Sequence, residues 1–260
     1  MGHIRFGKMP KSRKWEQVVE LLGNEYGNVA SLAQATLHAT KSILKALNND
    51  VGIQNSFWVL TQLTLKAKSK EYLQALKSIG IDISPDSQDT LSFTADLSSN
   101  LTELIKKSET ETVFSEIARL SCLSVISDVL SSQTPNLFGN DLSDIQDIFR
   151  TYSSKQNFAE LSKNYFAEFL SRSIKYFIST EAYNHVGDKL RFKNVAELSD
   201  FENALTTYCR QSARIVQEFA GGWYSKTEYE KGIGFEEVTK FIPVALKKMY
   251  KELSLEETAP

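Results

Sequence analysis

The sequence predicts an all-α fold, a multi-helix bundle or irregular helical array of about nine to eleven helices with no sizeable sheet. Three observations predict it. Apolar residues recur at three- and four-residue spacing along most of the chain. No segment sustains the alternation of a half-buried strand, and "IGIDIS" (79–84), the only strand-like piece, is too short to build a sheet. Glycine and proline number only 12 and 5 in 260 residues, so breaks are few and readable.

The elements follow in order. "KWEQVVELLG" places Trp15, Val18, Val19 and Leu22 on one face, with Gly23 as a stop. A second helix runs through Leu32, Ala33, Thr36, Thr40 and Leu47, with Asn28 as its N-cap. A third runs through Ile53, Phe57, Leu60 and Leu63, and a short one through Tyr72, Leu73, Leu76 and Ile79 to Gly80. "GIDISPDSQ" is the first clear break; Asp86 or Ser87 then caps a helix through Leu91, Leu97, Leu101, Leu104 and Ile105. Val113, Phe114, Ile117, Leu120, Ile126, Val129 and Leu130 form the inner stripe of the next. "SSQTPNLFGND", punctuated by Pro135 and Gly139, is the second break, after which Asp141 caps a helix through Leu142, Ile145, Ile148 and Phe149. The longest candidate runs from Phe158 to about residue 185; its apolar face is wide enough for a central helix packed on several sides. Another long helix leads from "NVAEL" to Gly221 and Gly222, which end it. The last begins at Phe235 and reaches about Leu253, and Pro243 inside it should kink it or start a new turn.

Hydrophobic content of 42% and charged content of 24% are those of a globular chain that buries its own core. The reading is one all-helical domain, 1–260, with a basic N-terminal arm, 1–14; the alternative is two helical subdomains, 1–131 and 141–260. A net charge of −2 excludes whole-protein electrostatic attraction to nucleic acid, so any such role must rest on a local patch. Cys122 and Cys209 are the only cysteines, far apart and in apolar helical contexts, as suits a reducing compartment. No run approaches the length of a membrane span and no secretory signal is recognised, so the expected location is the cytoplasm.

Catalytic signatures are scarce. His38 has no second histidine or carboxylate at helical spacing, and His185 lies beside Asp188 in "YNHVGD" without a nucleophile motif. No E-x-x-H pair, no phosphate-binding loop and no C-x-x-C pair occurs; "GIG" at Gly232–Gly234 precedes a helix but follows no strand. No metal or cofactor is expected. An enzyme with an unfamiliar helical site near His185 and Asp188 is the third of three functional readings.

Two features stand above this background. Arg5, Lys8, Lys11, Arg13 and Lys14 precede the first acid, Glu16, with Phe6 and Trp15 among them. They read either as a solvated arm or as a contact for phosphates or an acidic protein face. The second is "FAGGWYSKTEYEKGIGF" (219–235), which gathers aromatics among glycines. Gly221–Gly222 would turn the chain out of a long helix. Trp223, Tyr224 and Tyr229 would then pin the loop to the core or, with Lys226 in a polar rim, meet a partner.

"IRFGKMPKSRKWEQVVELL" and "EFAGGWYSKTEYEKGIG" resemble the matching ends of a family of uncharacterised bacterial proteins of similar length that occur with genome-defence or mobile-element gene clusters. The resemblance rests on residues 4–22 and 218–234. It implies a subunit of a bacterial multi-protein system, such as antiphage defence, and brings no catalytic residues with it. The leading expectation is therefore a non-enzymatic interaction or scaffold subunit working with another protein. The alternative is a nucleic-acid-binding accessory protein using the basic arm.

Overall fold

Apolar stripes at helical spacing need neighbours to bury against. The computed structural model describes residues 12–24, 31–33, 35–36, 38–40, 47–86, 89–108, 111–132 and 141–255. Among them are eleven helices and no sheet. Arg5, Lys8, Lys11, Asn28, Ser87, Pro135 and Gly139 lie outside the described residues.

Helix α1 (Arg13–Gly23) buries Trp15, Val18 and Leu22 against α8. Val19, expected on that face, is instead exposed, so the stripe that α1 buries is narrower than the spacing suggested. The helical residues 31–33, 35–36 and 38–40 form α2, where Thr36 and Thr40 donate to the carbonyls of Leu32 and Thr36, both at 2.8 Å. Helix α3 (Val51–Lys66) is buried on nearly every side. Its cap is the buried Asp50, whose Oδ1 accepts from Ile53 N (3.1 Å). The same carboxylate accepts from Thr112 Oγ1 (2.5 Å) and Ser115 Oγ (3.2 Å), tying the start of α3 to the start of α6. Gly52 permits this approach, since a Cβ there would lie 2.1 Å from Ser115 Cα.

Helix α4 (Tyr72–Lys77) closes at Gly80 (φ 86°), where Gly80 N donates to Lys77 O and Ile81 N to Leu76 O. This closure satisfies carbonyls the helix end would leave unpaired. Helix α5 (Thr90–Lys106) is capped by Asp89 rather than Asp86: Asp89 Oδ1 accepts from Ser92 N (2.7 Å) and Ser92 Oγ accepts from Asp89 N (3.3 Å). Asp86 sits in the preceding turn, its N–H given to Ser84 Oγ. Helix α6 is Val113–Ser132 and α7 is Leu142–Thr151, the latter capped by Asp141 as expected. From α7, Gln146 and Arg150 donate to the carbonyl of Ala67 (3.1 and 3.0 Å), which seals the C-terminus of α3.

Helix α8 (Lys155–Asn184) packs against α10, α9 and α6, and α3 packs against α6, α11 and α5. The centre is thus shared between α8, as expected, and the shorter α3. Their junction is aromatic. Phe57 of α3 meets Phe158, Tyr165 and Phe166 of α8 and stacks on Phe241 at 5.2 Å. One connected core runs from Trp15 to Met249.

The last third corrects the sequence reading. The helix expected to stop at Gly221–Gly222 breaks earlier, at Ala213, into α9 (Val195–Ser212) and α10 (Arg214–Lys231). Helix α10 continues through both glycines. A Cβ at Gly221 would lie 2.3 Å from the Lys155 carbonyl oxygen, so Gly221 is there to let α8 approach. Two helical glycines cost about 1 kcal/mol each against alanine. Burial of Val216 and Tyr224 on the same helix, worth about 1.5–3 kcal/mol per side chain, outweighs them. The real turn is made by Gly232 (φ 78°). Trp223, Tyr224, Lys226 and Tyr229 therefore stand on a helix and not on a loop. Helix α11 (Phe235–Leu255) runs on through Pro243 as one element. "IGIDIS" forms no strand; an isolated bridge joins Val186 and Phe192 after α8.

Candidate functional site

Five residues separate Tyr224 from Tyr229, about 140° around a helix, so the two rings face opposite ways. Tyr224 is 2% exposed. Its ring stacks on Phe158 at 3.9 Å, and its hydroxyl lies 3.2 Å from Thr64 Oγ1. Burial pushes its phenol up to about 12. Trp223 is half-buried, 4.2 Å from the ring of Phe241. Tyr229 is 92% exposed, and Lys226 beside it pairs loosely with Glu230 at 3.8 Å.

The turn after Tyr229 is firmly held. Ile233 is buried, and its carbonyl accepts from Gln62 Nε2 of α3 at 2.7 Å. Gly234 N donates to Glu237 Oε2 (3.1 Å), while Lys231 Nζ reaches Glu237 Oε1 at 2.8 Å. The Lys231 ammonium, foremost, holds the Glu237 carboxyl below its usual range. The N–H that made "GIG" look like an anion-binding turn is thus already used by a carboxylate of the chain. Phe235, partly exposed, meets Trp58 edge-on at 6.1 Å. The α10–α11 corner is therefore a rigid platform that presents Tyr229 and part of Phe235, rimmed by Lys226, Glu230 and Lys231.

Of the basic arm, Arg13 and Lys14 belong to the first turn of α1 and are exposed. His185 follows the end of α8, half-buried, with Nε2 3.3 Å from Glu181 Oε1. Asp188 is exposed in the turn beyond. Among the described residues no three His, Cys, Asp or Glu side chains are placed to hold a metal ion. The thiols are interior: burial pushes Cys122 up to about 12, where it donates to the Ser56 carbonyl, and pushes Cys209 up as well. No helix among the described residues is long and apolar enough to cross a membrane.

One site lay beyond the sequence reading. A cleft of about 580 Å³ opens between α6, α8 and the α9–α10 junction. Val125, Val129 and Ala167 form an apolar floor. Glu160 on its wall is neutralised by Lys163 (2.5 Å) and accepts from Gln217 (2.8 Å); Glu168 is neutralised by Arg172 (2.6 Å). Arg210 and Arg214 also line it and make no ion pair among the described residues. These residues are single polar positions on separate helices, with no local motif to join them. Arg210 and Arg214 stand on either side of the break at Ala213, which no glycine or proline announces in the sequence.

No family model, no curated protein and no solved structure matches the chain.

Proposed function

We propose that the chain is a non-enzymatic interaction subunit that binds another protein through the α10–α11 corner. The observation that carries this reading is Tyr229: a large aromatic, 92% exposed, on a helix whose opposite face is locked into the core. Tyrosine anchors with polar rims dominate binding energy at protein interfaces, and a preorganised anchor loses little entropy on docking. Buried, uncrosslinked thiols suit work in the cytoplasm. The likeness of the two chain ends to proteins from bacterial genome-defence clusters makes the products of neighbouring genes the first partners to test. Co-purification with them, repeated with Tyr229→Ala, tests the reading. The expected result is a complex that Tyr229→Ala weakens by about 2 kcal/mol, roughly 30-fold, with an unchanged melting temperature. A solitary monomer beside every neighbour, or a complex indifferent to Tyr229→Ala, would sink it.

A second reading is supported by Arg13 and Lys14, both exposed and without an ion pair among the described residues. With Arg5, Lys8 and Lys11 they would form a basic arm for nucleic acid. Gel shifts at two salt concentrations separate the readings, because phosphate contacts weaken steeply with salt and a docked tyrosine does not.

A further inference from the structure

We propose that the cleft between α6, α8 and the α9–α10 junction binds a small organic phosphate of nucleotide size. This site is separate from the α10–α11 corner and does not depend on the interaction reading above.

The volume, about 580 Å³, lies within the range of sites that enclose small ligands. The floor of Val125, Val129 and Ala167 is apolar and built from buried residues, so it offers a dry surface to a flat ring. The charges sort themselves by what they already hold. Glu160, Glu168 and Lys163 are neutralised within the protein. Among lining groups without an ion pair, Arg210 and Arg214 stand against Asp128 alone, leaving a net excess of one positive charge (two minus one).

Arg210, at the end of α9, and Arg214, at the start of α10, flank the break at Ala213 and both line the cleft, so an anion seated there can meet both guanidinium groups. Ala213, the single residue at the break, closes α9 by donating its N–H to Cys209 O (3.1 Å) and opens α10 by accepting from Val216 N (3.0 Å). The planar guanidinium fork matches phosphate oxygens in pairs, which a single ammonium cannot do. The half-buried amide of Asn164 lines the same cleft without a hydrogen-bond partner among the described residues, and Gln211 adds a second amide. Asp128, on the α6 wall, is an acceptor for an amino or hydroxyl group of the ligand. An anionic group at the arginines, a ring on the floor and a hydrogen-bond donor toward Asp128 together describe a nucleoside phosphate better than a bare anion.

The test is calorimetric titration of the full chain with adenosine 5′-monophosphate, guanosine 5′-monophosphate, adenosine and inorganic phosphate at low salt. Saturable binding of at least one nucleotide is expected, tighter than that of adenosine or phosphate alone. Arg210→Ala and Arg214→Ala should each weaken it by about tenfold or more, the scale of one charge-assisted contact. Both side chains are exposed, so the folded state should survive, checked by circular dichroism. Lys106→Ala, exposed at the end of α5 and outside both sites, should leave nucleotide binding unchanged. No saturable binding of either nucleotide, or binding that the Arg210→Ala, Arg214→Ala double variant leaves intact, overturns the proposal. Phosphate binding as tightly as the nucleotides also overturns it, because the floor would then contribute nothing.

Discussion

Gly221 and Gly222 are adjacent, chemically identical and in the same helix, yet alanine should move stability in opposite directions at the two positions. At Gly222 the added methyl meets nothing within 4 Å. The substitution keeps only the gain in helix propensity, about 0.5–1 kcal/mol. At Gly221 the same methyl would lie 2.3 Å from Lys155 O and 3.1 Å from Lys155 C. Restoring an ordinary contact requires α8 and α10 to part by about 1 Å. The obstacle is backbone in the first turn of α8, which cannot rotate aside as a side chain would. Overpacking of this kind costs about 1–3 kcal/mol and occasionally more. Propensity offsets part of that, so Gly221→Ala should be net destabilising by about 1–2 kcal/mol, and the two variants should differ by about 1.5–3. For a chain of this size that difference is roughly 3–12 °C in melting temperature. Urea unfolding with a shared slope would give the free energies, and thermal melts the order. Gly221→Ala equal to or more stable than the parent would refute the idea that this glycine exists for helix contact.

Two further outcomes follow from the interior. Asp50→Ala removes the acceptor for Ile53 N, Thr112 Oγ1 and Ser115 Oγ together and leaves buried donors unmatched; a loss of about 2–4 kcal/mol in urea unfolding is expected, with Asp50→Asn intermediate. High pH should unfold the protein partly through Tyr224. Its folded value, about 12, is above the ordinary 10, so its contribution is intact below pH 10 and is lost as pH rises from 10 toward 12. Tyr224→Phe should flatten that part of the alkaline stability profile, and an unchanged profile would contradict the buried placement of the ring.

Much of the fold was legible because apolar spacing reports a buried face wherever a helix has one dominant neighbour. Asp141 and its helix, and the closure at Gly80, were readable because cap chemistry is local. Two things were not. Glycine serves both as a helix stop and as a surface for close approach, and the choice at Gly221 is made by Lys155, 66 residues earlier in the chain. The break at Ala213 carries no glycine or proline to announce it. For the candidate sites, Tyr224 and Tyr229 could be singled out by type, but only the helix phase of α10, itself hidden by the misread glycines, assigns one inward and one outward. The cleft depends on which polar residues three separate helices bring to one place, and no stretch of sequence contains that information.

The hydrogen bond from Gln62 to the carbonyl of Ile233 spans 171 residues. Seen from the ribosome, it is also a delay. Helix α3 emerges early, with Gln62 and eight apolar or hydroxyl-bearing neighbours destined for the interior, and its acceptor is synthesised roughly 10–30 s later at ordinary elongation rates. Until then a helix that is buried on nearly every side in the folded protein lacks the partner of Gln62. Its shelter during that interval comes from α5, α6 and α8, which are completed first, and the α10–α11 hairpin is added over it later.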